Sequence, residues 1–152
     1  MAARAIQAIA VGRCAMHDQM LALGASCCID YTSEDVGQRA VELAGGPVDA
    51  VADLAGGQSL AGALGALRPE GQIAAIATPE LGLDPLLDAN ITFHGVLIHD
   101  DGQRTRELAS LLAERSLRPV VSHLLPLSEA AQAHRILEGK HAGGKVVLTV
   151  PG

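Results

Sequence analysis

The sequence predicts an α/β fold around a mostly parallel sheet, and three observations carry that expectation. Short aliphatic and β-branched runs alternate with longer helix-like stretches along the whole chain, the pattern of successive βαβ units. The 152 residues make one domain or a piece of a larger one, at ~150 residues per domain. With 49% apolar and 18% charged residues the chain is too apolar to stay disordered, yet no apolar run nears the ~18 residues of a membrane span.

Each element has a local reason. Strands are expected at 6–12, 27–30, 48–54, 72–77, 90–98, 119–125 and 145–150, where short apolar runs stop at glycine, proline or polar residues. Helices are expected at 16–23, 33–44, 58–67, 103–115 and 128–137. Ser33, with Glu34 and Asp35 behind it, reads as an N-cap whose acids suit the helix dipole, and Gly45-Gly46-Pro47 ends that helix. Ser128 after Pro126 repeats the start signal, and Gly139 closes the last helix. Leu108, Leu111, Leu112 and Arg115 recur at helical spacing, which predicts a leucine face laid on the sheet. The stretch 79–88, with Pro79, Gly82 and Pro85, reads as one long irregular connection, the kind that borders sites.

Composition sets the character of the core and excludes several partners. The chain has 26 alanines and only Tyr31 and Phe93 as aromatics, so its core must close by tight packing of small residues. Eleven basic against 17 acidic residues leave a net charge of −6, the wrong sign for binding nucleic acid or an anionic membrane. A single cationic pocket for one phosphate is still allowed. Three cysteines, two of them the neighbours Cys27 and Cys28 that a strand points to opposite faces, give no disulfide framework. With no leader pattern in Met1-Ala2-Ala3-Arg4, the chain reads as cytoplasmic.

Ligands of parallel sheets sit where strands end and helices begin, and two joins suit one. In the first, Gly12-Arg13 precedes Cys14-Ala15-Met16-His17-Asp18. A site for NAD places an acid near such a point, whereas a site for NADP leaves it uncharged and supplies a cation for the 2′-phosphate. Gly12-Arg13 fits NADP, although an arginine in a turn is also an ordinary solvated residue. In the second, Asp53-Leu54-Ala55-Gly56-Gly57 has paired glycines that let backbone approach a ligand, or that make a plain tight turn. The phosphate fingerprint Gly-x-Gly-x-x-Gly is absent, as is a Gly-x-Ser-x-Gly elbow. His94, His99, Asp100 and Asp101 lack zinc-ligand spacing, and His134 and His141 read as surface residues near a helix end.

An ordered set of motifs then points to a family. Leu23-Gly24-Ala25, Ile29-Asp30-Tyr31, Val48-Asp49-Ala50-Val51-Ala52-Asp53 with Gly56-Gly57, and Leu67-Arg68-Pro69-Glu70-Gly71 come first. Leu117-Arg118-Pro119-Val120, the run Pro126 to His134, and Gly144-Lys145-Val146-Val147-Leu148 follow. Together they resemble the C-terminal half of the medium-chain dehydrogenase/reductase superfamily, in its quinone-oxidoreductase-like zinc-binding dehydrogenase branch. The resemblance covers nearly the whole chain.

It implies a Rossmann-like, doubly wound sheet over residues 1–118 that binds NADP(H), and a segment 119–152 that returns toward a catalytic domain. It places the 2′-phosphate on Arg13 and Tyr31 beside Gly12, and the nicotinamide end near Asp53, Leu54, Gly56, Gly57, Ala77 and Thr78. The family's catalytic domain, zinc ligands, first strand and glycine fingerprint have no counterpart here, and residues 1–5 correspond to the last turn of the first helix. With the central strand of the order 3-2-1-4-5-6 lacking, the strands at 6–12 and 48–54 each keep an unpaired edge. The expectation is therefore the cofactor-binding half of an NADPH-dependent quinone or enone reductase, with no catalytic residue of its own, no zinc, and weak cofactor binding. Self-association is expected through the edge strand from Thr92 to Ile98, or completion by a separate polypeptide. A non-enzymatic nucleotide-binding or assembly module, or a truncated gene remnant, are the other readings.

Overall fold

In a computed structural model of the chain, residues 6–139 and 142–150 are described, and the expectations for residues 1–5 and for His141 lie outside them. The chain divides into two compact units, the division falling between His99 and Asp100.

The first unit carries β1 (Ile9–Val11), α1 (His17–Ala22), β2 (Cys27–Ile29), α2 (Val36–Ala44) and β3 (Val48–Asp53), then α3 (Ser59–Leu64), β4 (Leu67–Ala75), α4 (Asp84–Asp88) and β5 (Thr92–Gly95). A single 3-10 turn, Cys14–Met16, leads into α1. Every strand pairing is parallel: β1 with β2, and β3 with β4 with β5. The two sheets are not hydrogen-bonded to each other among the described residues, so β1 and β3 have not closed up onto one another. Helix α2 lies against β1, β2 and β3 and so spans both sheets.

The core of this unit is small, as the alanine content requires. Ile29, Leu60 and Ile73 are its large, fully buried side chains, with Ala66 and Ala75 filling between them. Parallel strands project alternate residues to each face, and on β4 this buries Gly71, Ile73 and Ala75 while Gln72 and Ala74 face out. The strand begins at Leu67, five residues before the expected start. Val48 pairs with Leu67 but Ala50 already pairs with Gln72, so residues 68–71 bulge out of the ladder, with Glu70 at a left-handed φ of 59°.

Two local expectations for this unit need correction. Helix α2 is capped by Asp35, not Ser33: Asp35 is extended and its carboxylate accepts from Gln38 N at 2.7 Å. Ser33 lies in the preceding turn, its N–H bound to the Asp30 carbonyl at 3.1 Å. The 79–88 stretch is not wholly irregular, because α4 occupies its second half with Pro85 in the first turn, where no intrahelical N–H is needed.

The second unit holds α5 (Gly102–Ala113), β6 (Val121–Pro126), α6 (Ala130–Glu138) and β7 (Lys145–Thr149). Strands β6 and β7 pair in parallel, again with a register shift after Val121, and α6 packs on both. Asp101 caps α5 by accepting from Gln103 N and Arg104 N at 3.0 Å. The expected leucine face of α5 is not laid on a sheet: Leu108, Leu111 and Leu112 are all exposed. Ser128 is likewise not a cap; it lies inside a 3-10 turn, Leu127–Glu129, that feeds α6 directly.

Candidate functional site

The site residues fall into two groups, both at the C-terminal ends of the parallel strands in the first unit. The first group joins the ends of β1 and β2. Gly12 N donates to the Ile29 carbonyl at 3.0 Å, extending the ladder one residue past β1. Gly12 is buried, and a Cβ there would press on the flexible end of the Met20 side chain, which would have to move aside. The chain then turns outward at Arg13, which is exposed. Arg13 Nε donates to the Tyr31 phenol oxygen at 3.1 Å. Eighteen residues apart in sequence, the two form one exposed pair of a cation and a hydroxyl.

Asp30 organises the backbone around that pair. Its carboxylate accepts from Thr32 N at 2.9 Å, Thr32 Oγ1 at 2.7 Å and Cys14 N at 3.2 Å. These bonds, the Thr32 hydroxyl first among them, hold the Asp30 carboxyl below the usual carboxylate range. Asp30 N donates to Glu34 Oε2 at 2.7 Å, and Glu34 in turn pairs with Arg39 at 3.1 Å.

The second group joins the ends of β3 and β4. Asp53 is buried, and its Oδ1 accepts from Ala55 N and Gly56 N, each at 3.1 Å, and from Ser59 Oγ at 2.9 Å. Its Oδ2 is buried with no partner among the described residues. Gly56 and Gly57 both sit at positive φ, 72° and 61°. A Cβ on Gly56 would lie 2.8 Å from the Ala77 Cβ and 2.9 Å from the Thr78 oxygen. Gly57 N donates to the Thr78 carbonyl at 2.9 Å, and Glu80 N donates back to the Gly57 carbonyl at 2.7 Å. The loops after β3 and β4 are thus clipped edge to edge, and Leu54 stands exposed at their margin.

The structure therefore brings Gly12, Arg13 and Tyr31 together, and separately Asp53, Gly56, Gly57, Ala77 and Thr78. Asp30, Cys14 and Ser59 were not singled out in the sequence as site residues. Asp30 stood in the Ile-Asp-Tyr motif, which was a usable signal; Ser59 had none beyond its place at the start of a helix.

Residues 23–148 match the family model of the zinc-binding dehydrogenases. The chain belongs to that family. A fungal relative, described as a mitochondrial zinc-binding oxidoreductase of Arthroderma benhamiae, is 26% identical over 136 residues, 88% of this chain and 41% of that protein. Among solved structures, an NAD-dependent alcohol dehydrogenase is 28% identical with a TM-score of 0.85, over 95% of this chain and 44% of that one. The quinone oxidoreductase from Coxiella burnetii is 31% identical with a TM-score of 0.79, over 95% and 45%. The chain thus spans less than half the length of these relatives, which are oxidoreductases, and shares their Rossmann-like α/β fold. Among the described residues no three His, Cys, Asp or Glu side chains gather as ligands for a metal ion. No helix among those residues is long and apolar enough to cross a membrane.

Proposed function

We propose that this chain is the cofactor-binding half of an NADPH-dependent oxidoreductase, one that reduces quinones or enones by hydride transfer, and that it is not a catalyst by itself. The Arg13–Tyr31 pair carries the reading. A phosphate monoester recognised against a bare ribose hydroxyl needs a cation and further donors at the end of the second strand of such a fold, and no carboxylate aimed at the ribose. Arg13 supplies the cation, Tyr31 the hydroxyl, and Gly12 contributes no side chain. Asp30, the acid next to Tyr31 in sequence, has its oxygens engaged by Thr32 and Cys14. The nicotinamide end is assigned to the clipped loops at Asp53, Leu54, Gly56, Gly57, Ala77 and Thr78. When bound, the cofactor supplies the hydride; these residues hold it.

Because one relative is NAD-dependent, cofactor choice is the point to test. Equilibrium titration should show NADPH binding more tightly than NADH, with modest affinity, and Arg13→Glu should erase the difference. Equal affinity of the unmodified chain for both would refute the assignment. Reductase activity of the chain alone should stay at the uncatalysed rate, since a site with one wall cannot hold a second reactant against the nicotinamide in a water-poor cleft.

The assignment extends to the rest of the chain. The reading assigns residues 1–118 to the nucleotide domain and 119–152 to a segment directed to a catalytic domain, a boundary later in the chain than the division between His99 and Asp100. Free Cys14, Cys27 and Cys28 suit a reducing compartment such as the cytoplasm. Strand β5, which pairs only with β4 among the described residues, exposes Phe93 together with the following Val96, Leu97 and Ile98. That apolar edge supports self-association through the Thr92 to Ile98 segment. Sedimentation at micromolar concentration should show dimers or larger species, and a monomer alone would refute it.

A further inference from the structure

We propose that Asp30 is a positioning residue for phosphate recognition: it clips the loop after β1 to the turn after β2, and by doing so holds Arg13 and Tyr31 at one spacing. This rests on the reading of the Arg13–Tyr31 pair as the phosphate-binding group. The geometry is specific. One carboxylate oxygen takes the backbone and hydroxyl of Thr32, the residue after Tyr31. The other takes the backbone of Cys14, the residue after Arg13. The Asp30 carbonyl also accepts from Ser33 N and Glu34 N at 3.1 and 2.9 Å, and its own N–H is held by Glu34. Both ends of the turn carrying Tyr31 are therefore anchored on Asp30. Arg13 and Tyr31 are themselves exposed, and without the clip each would sample many rotamers and loop positions. Ordering them at binding would then subtract from affinity.

The sign of the effect separates this role from simple electrostatics. A carboxylate close to an anion site repels the anion, so removing it should tighten phosphate binding if charge were all that mattered. Removing a clip should loosen it. Asp30→Asn makes the distinction cleanly: the charge disappears, an oxygen remains for Thr32, and the amide nitrogen that replaces the second oxygen cannot accept from Cys14 N.

The probes are adenosine 2′,5′-bisphosphate and adenosine 5′-monophosphate, titrated by calorimetry into the full chain and into Asp30→Asn, Thr32→Val and Arg13→Gln variants. The readout is the ratio of the two dissociation constants, which reports the 2′-phosphate alone, beside the thermal midpoint of each variant. For Asp30→Asn the preference for the 2′-phosphate is expected to fall about three- to tenfold, the effect of one hydrogen bond of ordinary net strength, with a smaller fall for Thr32→Val. A general loss of structure would weaken both ligands alike and leave the ratio unmoved. If Arg13→Gln lowers the ratio while Asp30→Asn leaves it unchanged or raises it, the clip is overturned and the phosphate site stands. If Arg13→Gln has no effect on the ratio, the phosphate site itself falls, and the clip with it.

Discussion

Replacing Gly56 by alanine tests the clipped loops of the second group, because the structure sets the cost in two separable parts. Gly56 has φ of 72°, and an L-residue held in the left-handed region costs about 1–2 kcal/mol. The new methyl would also lie 2.8 Å from the Ala77 Cβ and 2.9 Å from the Thr78 oxygen. Neither atom is the end of a flexible chain, so the loops must part, and overpacking of this kind costs about 1–3 kcal/mol more. The sum, about 2–5 kcal/mol, is a large share of the ~5–15 kcal/mol that holds a typical domain together. At roughly 2–4 °C per kcal/mol for a chain of this size, the midpoint should drop by about 10 °C. Gly57→Ala is the internal control: its φ is 61°, but nothing lies within 4 Å of the added carbon, so only the dihedral cost of about 1–2 kcal/mol applies. Thermal unfolding followed by circular dichroism gives both numbers. Equal effects of the two substitutions, or a neutral Gly56→Ala, would refute the close approach of the two loops.

Three further outcomes follow from the same geometry. Asp35→Ala should cost about 1 kcal/mol through loss of the α2 cap, while Ser33→Ala should stay within about 0.5 kcal/mol; paired urea titrations check the order. Asp53→Ala strands the Ala55 and Gly56 N–H groups, while the Ser59 hydroxyl keeps the Gly56 carbonyl as an acceptor at 2.9 Å, and should destabilise by roughly 2–4 kcal/mol, with Asp53→Asn milder because an amide oxygen can keep those two backbone donors. The Asp30 carboxyl, held below the usual range chiefly by the Thr32 hydroxyl, is lower in the folded than in the unfolded chain, so its contribution is complete above the unfolded value and is lost as pH falls through the folded one. Acid titration of the thermal midpoint should therefore be shallower in Asp30→Asn over that window, and identical slopes would show that the clip does not persist in solution.

The legible part of this chain was the part written locally. The seven strands and five of the six helices lie where apolar runs and breakers placed them, and Gly45 and Gly139 close their helices as expected. What failed depended on choices between near-equal local partners or on tertiary context. Ser33, Glu34 and Asp35 all resemble caps, and only the turn built on the Asp30 carbonyl decides that Asp35 does the capping. Helix α4 hid behind Pro85, a breaker in a helix interior but tolerated in a first turn. The leucines of α5 have helical spacing, yet spacing cannot say whether a floor exists to receive them. At the site, a resemblance and one short motif named Arg13 and Tyr31, and their 3.1 Å contact is long-range information that no local pattern holds. Ser59 and the two-loop role of Asp30 are of the same kind: each depends on atoms brought together from separate strands.

The most direct measurement uses a property of the composition. The chain has one tyrosine and no tryptophan, so its intrinsic emission comes from Tyr31 alone, at the proposed phosphate site. Titration with adenosine 2′,5′-bisphosphate should change that emission saturably, and adenosine 5′-monophosphate should require a markedly higher concentration to do the same. Saturable binding of the bisphosphate by calorimetry with Tyr31 emission unaltered, or equal potency of the two ligands, would contradict the placement of the 2′-phosphate on Arg13 and Tyr31.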